Sequence, residues 1–127
     1  MIAVDTSALM SVLLDEPEAE PCVEALVTND RIVISAGTLA EALIVAGRRR
    51  LGREMAELID GLGFEVMNVS LAVARRVAET YARWGKGVNP AGLNFGDCFA
   101  YEAAKTCDCP LLYVGSDFAR TDLSSVL

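Results

Sequence analysis

Four carboxylates carry the strongest chemical signal in this chain: Asp5, Glu41, Asp97 and Asp117. Carboxylates gathered in one cleft repel each other, and loss of solvent raises that cost. A divalent cation placed among them reverses the sign of the interaction. The 127 residues include no histidine. That excludes Ser–His–Asp triads, Cys–His dyads, histidine-based RNA transesterification and His-containing zinc sites. All-oxygen ligation suits Mg²⁺, with Mn²⁺ able to substitute, rather than zinc. An oxygen-ligated Mg²⁺ keeps several waters, one of which can attack a phosphodiester. Each acid taken alone also has an ordinary structural account. Thr38-x-x-Glu41 fits a capping box, Asp97 and Asp117 suit N-caps, and Asp5 suits a turn. It is the set of four that points to a metal.

The elements that must bring them together can be read from the hydrophobic pattern. Met1–Val4 is a short apolar run ending in Asp5, as expected of a buried strand. Ser7–Leu14 reads as a short helix and Glu18–Val27 as an amphipathic one. Ile32–Ser35 is a second strand, followed by a helix over Leu39–Arg50 with Thr38 as N-cap, and another over Arg53–Leu62. Phe64–Val69 is a third strand. Ala74, Val77, Ala78 and Tyr81 then keep helical spacing up to Trp84. Gly85–Gly96, with four glycines and Pro90, reads as a loop. A mostly apolar helix from Asp97 to Thr106 follows, as expected of a central buried helix. Leu111–Val114 is a fourth strand and Ser125–Leu127 a fifth. Strands without alternation, separated by helices, imply a parallel sheet covered on both faces: an α/β fold in three layers, with one domain over residues 1–127. In such a sheet functional groups collect beyond the carboxyl ends of the strands. The four acids fall there.

Composition narrows the classes further. Hydrophobic residues make up 53% and charged residues 23%, which excludes disorder. No apolar stretch approaches the roughly 20 residues of a membrane span. Thr6–Leu14 is preceded by Asp5 and by no Lys or Arg, unlike a signal peptide, so the expected location is the cytoplasm, without membrane attachment. The net charge of −7 argues against coating nucleic acid with the whole surface. Basic residues are concentrated in Arg48, Arg49, Arg50 and Arg53, and acids in Asp15, Glu16, Glu18, Glu20 and Glu24; either group also reads as a solvated helix end. Cys107-x-Cys109 lacks the spacing of zinc knuckles or redox motifs, so Cys22, Cys98, Cys107 and Cys109 read as small hydrophobes or incidental thiols.

Three blocks in order carry a family resemblance: Val4-Asp5-Thr6-Ser7-Ala8-Leu9, Leu93-Asn94-Phe95-Gly96-Asp97-Cys98-Phe99-Ala100-Tyr101, and Gly115-Ser116-Asp117-Phe118-Ala119-Arg120-Thr121-Asp122, with Glu41 between the first two. The chain resembles the PIN-domain family over essentially its whole length, and within it the VapC-type toxins of toxin–antitoxin pairs. The resemblance implies a Mg²⁺-dependent endoribonuclease on a five-stranded parallel sheet of order 3-2-1-4-5. It implies Asp5 and Asp97 as metal ligands, Glu41 and Asp117 completing an acidic quartet, and Asp122 as a peripheral fifth acid. Thr6 or Ser7 would contact a phosphate or orient Asp5, Asn94 would shape the loop presenting Asp97, and Ser116 would lie on the substrate side. It also implies RNA as substrate, a small inhibitory antitoxin as partner, and a homodimer.

The chain departs from the family pattern around Gly115, where many relatives carry Lys before the glycine and Asp or Asn after it. Here those positions hold Val114 and Ser116. That takes away one basic group, leaving Arg48, Arg49, Arg50, Arg53 and Arg120 as candidate phosphate contacts. Two rivals stand against this reading. A receiver-type signalling domain needs an acidic pair after the first strand, an acceptor Asp after the third and a late lysine following a strand; the third strand here ends Asn68-Val69-Ser70. A PIN-like binding module without catalysis would be expected to lack acids of the quartet, and none is missing.

Overall fold

The computed structural model describes residues 1–127. In chain order the elements are β1 (Ile2–Val4), α1 (Thr6–Leu13), α2 (Ala19–Thr28), β2 (Ile32–Ser35), α3 (Ala36–Arg48), α4 (Gly52–Leu62), β3 (Glu65–Met67), α5 (Leu71–Trp84), α6 (Phe95–Cys107) and β4 (Leu111–Leu112), followed by a short 3-10 turn over Phe118–Arg120. The strands form one sheet of order β3-β2-β1-β4. Every pairing is parallel, with Ile2 opposite Ile32, Ala3 opposite Leu111 and Ile34 opposite Val66.

Successive strand residues point to opposite faces, and here both faces are covered. Ile2, Val4, Ile32, Ile34 and Leu112 pack with Leu9, Leu26, Ala46 and Met55 of the first four helices. Ala3, Val33, Leu111 and Tyr113 pack on the other face with Val77, Cys98, Tyr101 and Ala104 of α5 and α6. This double burial is why the strands read as unbroken apolar runs, and it makes the three layers. Helix α6 buries Cys98, Ala100, Tyr101, Ala103 and Ala104, as its composition predicted, and also Glu102, which the apolar pattern did not anticipate. All four cysteines are free; Cys22 and Cys98 are buried in the two cores.

The structure corrects the expectations at element ends. The fifth strand is reduced to one parallel bridge between Leu111 and Ser125. Its hydrogen bonds run from Leu111 N–H to Ser124 O and from Val126 N–H to Leu111 O, so the 3-2-1-4-5 order survives only as that bridge. The expected strand Phe64–Val69 shrinks to the edge strand β3, whose Glu65 and Val66 are exposed. Helix α3 begins three residues earlier than its pattern suggested. Ser35, not Thr38, is the N-cap and accepts from Gly37 N–H at 3.2 Å. Thr38 lies inside the helix, fully buried, with no hydrogen bond to its hydroxyl. The Thr38-x-x-Glu41 capping box therefore does not form. Helix α6 likewise begins at Phe95, two residues before Asp97.

These caps make opposite predictions for two similar substitutions. Ser35→Ala removes a working N-cap and is expected to cost about 1 kcal/mol, or a Tm drop of roughly 3–5 °C. Thr38→Val removes an unpartnered buried hydroxyl at constant shape, so Tm should stay level or rise. Thermal unfolding of both variants checks this; a destabilised Thr38→Val with a neutral Ser35→Ala would restore the cap to Thr38.

Candidate active site

The order β3-β2-β1-β4 has its switch point between β1 and β4, where the chain has wound in one direction and then crosses back. Asp5 directly follows β1, and the segment leading to Asp117 follows β4. Asp5 is the N-cap of α1, and its burial is nearly complete at 3% exposure. Its Oδ2 accepts from both the backbone N–H and the hydroxyl of Ser7, at 3.0 and 2.6 Å. Ser7 Oγ in turn accepts from Val114 N–H at 3.0 Å, tying Asp5 to the end of β4. The other oxygen, Oδ1, is buried with no hydrogen-bond partner. A buried ionised oxygen without a partner is costly, and the nearby charge of Glu41 adds to that cost.

Asp97 is set by the loop before α6. Lys86 N–H bonds to Leu93 O and Leu93 N–H to Trp84 O, closing the loop at its base. Asn89 Oδ1 accepts from Ala91 N–H at 2.9 Å. Arg120 donates to Pro90 O at 2.8 Å. Asn94 then caps α6: its side chain accepts from Asp97 N–H, while Asp97 Oδ2 accepts from Asn94 N–H at 3.0 Å. Asn94 thus shapes the loop as expected, and Asp97 is the acidic half of a capping box rather than the cap itself. Glu41, in the second turn of α3, receives the Thr6 hydroxyl on Oε1 at 2.6 Å. Its carboxylate lies against the backbone at Gly96, next to Asp97. Asp117 is exposed and starts the 3-10 turn without a capping bond. Gly115, just before it, has φ +112°, a conformation that suits glycine.

Electrostatics record the convergence. Burial pushes the Asp5 carboxyl up to about 6, against lowering by Ser7, and the charge of Glu41 adds to the rise. Asp97 is pushed up to about 7, first by burial and then by the charges of Asp5, Asp117 and Glu41, against lowering by the Asn94 N–H. The charges of the other three acids therefore reach Asp97, and that of Glu41 reaches Asp5. They do not close into a tight cage, since no three stand close enough as placed to grip one ion. The donor set nonetheless suits a hard divalent cation: all oxygen, with like charges around Asp97 and one buried carboxylate oxygen left without a partner.

Other candidate residues are placed elsewhere. Asp122 is not part of the cleft. It accepts from Tyr101 Oη at 2.6 Å and pairs with Lys105 at 3.0 Å. The Tyr101 hydrogen bond leads the causes holding its carboxyl below the usual range. Lys105 lies eight residues beyond Asp97, roughly 12 Å along α6. Ser116 is exposed beside Asp117. Arg48, Arg49 and Arg50 sit exposed at the end of α3 and the turn into α4, with Arg48 about 10 Å along the helix axis from Glu41. Arg53 pairs with Glu57 at 3.3 Å in full solvent exposure, an ion pair of little energetic weight. The Thr6–Glu41 and Ser7–Val114 bonds could not be anticipated from the sequence, because bonds across 35 and 107 residues leave no local pattern.

The fold and the cleft together define a three-layer parallel α/β protein whose switch-point chemistry is carboxylate throughout. The PIN domain matches residues 2–123. Ribonuclease VapC30 of Mycobacterium tuberculosis is 39% identical over 129 residues, covering 98% of each chain. Ribonuclease VapC of Mycolicibacterium smegmatis is 37% identical, covering 98% of this chain and 99% of that protein. The chain belongs to the PIN-domain family. Its backbone is also similar to the crystal structure of Mycobacterium tuberculosis VapC20, described as a sarcin-ricin loop cleaving toxin, with a TM-score of 0.81 at 15% identity over 99% of this chain and 98% of that one. No helix is long and apolar enough to cross a membrane.

The raised acids give the metal-free protein a defined pH dependence. Asp5 and Asp97 hold protons in the folded chain at pH values where the unfolded chain, near 3.8, has lost them. Stability should therefore fall as pH rises from about 4 to about 7 and level off above. Asp97→Asn keeps an acceptor for the Asn94 N–H and removes the charge, so it should raise the Tm of metal-free protein at pH 7.5 by several degrees. Asp97→Ala loses the acceptor and should gain less. Calorimetry across pH 4–8 checks both. A wild-type curve that does not fall over that range would contradict the raised Asp5 and Asp97 carboxyls.

Proposed function

We propose that this chain is a divalent-metal-dependent endoribonuclease acting as the toxin of a toxin–antitoxin pair. The observation that carries the reading is the buried, unpartnered Oδ1 of Asp5 at the β1–β4 switch point, beside an Asp97 that feels the other three acids. Asp5, Asp97, Glu41 and Asp117 would hold Mg²⁺, with Mn²⁺ able to replace it. When bound, the ion supplies Lewis acidity for hydrolysis of an RNA phosphodiester. The chain's own residues set the stage: Ser7 pins Oδ2 of Asp5, Thr6 fixes one oxygen of Glu41, and the Asn94 box aims Asp97. Loading requires Asp5 and Asp97 to give up protons, so metal affinity should climb with pH up to about 7.

Relatives named ribonuclease at 37–39% identity over the full chain support the activity. A structural neighbour described as a toxin–antitoxin complex from Klebsiella pneumoniae, similar in fold, suggests a small antitoxin as the partner. A groove of about 430 Å³ between α3, α4 and β3, lined by Leu39, Leu43, Ile59, Phe64 and Val66, together with exposed Ile44, supplies apolar surface for protein partners, including a second copy. The cytoplasm is the compartment where such an enzyme meets its RNA.

Cleavage of RNA should require Mg²⁺ or Mn²⁺, and Asp5→Ala or Asp97→Ala should lower it more than ~100-fold. Undiminished cleavage in excess EDTA would sink the metal mechanism. Cleavage absent with every divalent ion would leave a binding module. A partner encoded in the adjacent small reading frame should suppress the activity on co-expression.

The exposed arginines are proposed to contact phosphates flanking the scissile bond. Arg49→Ala/Arg50→Ala should weaken binding alike across RNA sequences. The slope of log affinity against log salt should flatten by roughly 0.7 for each arginine–phosphate pair removed. Binding measured in Ca²⁺ at several salt concentrations tests this; an unchanged slope moves the RNA path to another face.

A further inference from the structure

Helix α6 opens with a residue that its local conformation does not require. Gly96 lies in the first turn and is absent from the positive-φ positions, so its backbone suits any residue. Glycine is a poor helix former beside alanine, and elsewhere in the helices Gly47 and Gly61 have open space where a side chain would go. At Gly96 that space is filled by the Glu41 carboxylate: an added Cβ would collide with Oε2, Cδ and Oε1 together. The other end of this carboxylate is held, since Oε1 accepts the buried Thr6 hydroxyl at 2.6 Å. The helices themselves have no slack at this crossing. One turn before Glu41, the Cβ position of Gly37 is occupied by the ring of Phe99 from α6.

We infer that Gly96 is a positioning residue for Glu41, its missing side chain being the seat that lets the Glu41 carboxylate stand beside Asp97. A methyl group at position 96 displaces a flexible side-chain end rather than backbone. The fold therefore survives while Glu41 leaves its place. Position 37 behaves in the opposite way, because a methyl group there meets an aromatic ring packed between two helices. The inference rests on the metal-site reading above, with Glu41 as one of the ligands, and assigns a residue that holds none of the metal itself.

The test is a double-mutant cycle on the purified full chain, with Mn²⁺ binding followed by electron paramagnetic resonance and Tm measured without metal. Gly96→Ala should keep or raise the metal-free Tm and weaken Mn²⁺ binding about 10–100-fold. Gly37→Ala should lower Tm. Glu41→Ala should weaken Mn²⁺ to a similar extent, and Gly96→Ala added to Glu41→Ala should weaken it no further, since the clash is gone. If Gly96→Ala proves unstable, the Glu41→Ala background must restore its Tm. Unchanged Mn²⁺ affinity in Gly96→Ala, or additive losses in the double mutant, overturns the inference and leaves the metal site standing. A wild-type chain that binds no Mn²⁺ overturns the metal site, and the inference falls with it.

Discussion

The repulsion among four carboxylates at one end of the sheet is the constraint around which the rest of this molecule is arranged. Two of them, Asp5 and Asp97, are pushed well above the ordinary carboxylate range, mainly by burial and further by neighbouring charge: Glu41 on Asp5, and Asp5, Asp117 and Glu41 on Asp97. Nothing in the hydrophobic packing demands acids there. The fold tolerates them by placing them at helix starts: Asp5 caps α1, Asp97 lies in the first turn of α6, and Asp117 opens the 3-10 turn. At the N-terminus of a regular helix the free N–H groups and the dipole favour negative charge by typically 0.3–1 kcal/mol. That offsets part of the repulsion but not the desolvation, and the remainder is what a cation would neutralise.

The same constraint explains which parts of the molecule were legible in its sequence. The core strands could be read because Ile2–Val4 and Ile32–Ser35 are buried on both faces and carry no polar residue before the closing Ser35. Asp5, Asp97 and Asp117 could be placed because each follows a strand or opens a helical turn, and local punctuation marks such boundaries; Glu41 lies a turn deeper in α3 than its pattern suggested. The quartet was suggested by strand-end positions and by the family resemblance of three blocks with Glu41 between them, and the structure places Asp5, Glu41 and Asp117 where their charges act on Asp97. Errors fell where two principles compete for one residue. Thr38 has the sequence context of a cap, but Ser35 caps first and α3 extends over Thr38, which faces the core. Asp122 has the charge of a ligand, but Tyr101 and Lys105 claim it. The fifth strand was overestimated because three terminal residues with a β-branched member look alike whether they form a ladder or a single bridge.

What stayed hidden is of another kind. The Ser7–Val114 bond joins residues 107 apart, and the seat of Glu41 on Gly96 joins two helices. Neither has a periodicity or a propensity attached to it. Glycine in a helix start reads as a weak point of the helix, and only the neighbouring carboxylate shows it to be a point of close approach. Sequence patterns report what a residue does for its own element; they are silent when a residue serves a side chain on a different one.

A common partition of labour runs through the three buried or half-buried acids. Asp5 gives Oδ2 to Ser7 and leaves Oδ1 unpartnered. Asp97 gives Oδ2 to the Asn94 N–H in its capping box. Glu41 gives Oε1 to Thr6, while Oε2 rests against Gly96. In each case one oxygen fixes the side chain to the scaffold and the other stays free of protein donors. A carboxylate with both oxygens hydrogen-bonded would be rigid but chemically spent, and one with neither would swing away from its neighbours under their repulsion. Anchoring one oxygen removes rotational freedom before any ligand arrives, so less ordering remains to oppose binding. The hydroxyls of Thr6 and Ser7 are thus committed to the acids they hold, and in the proposed metal site the capping box at Asp97 would serve both the helix and the ligand.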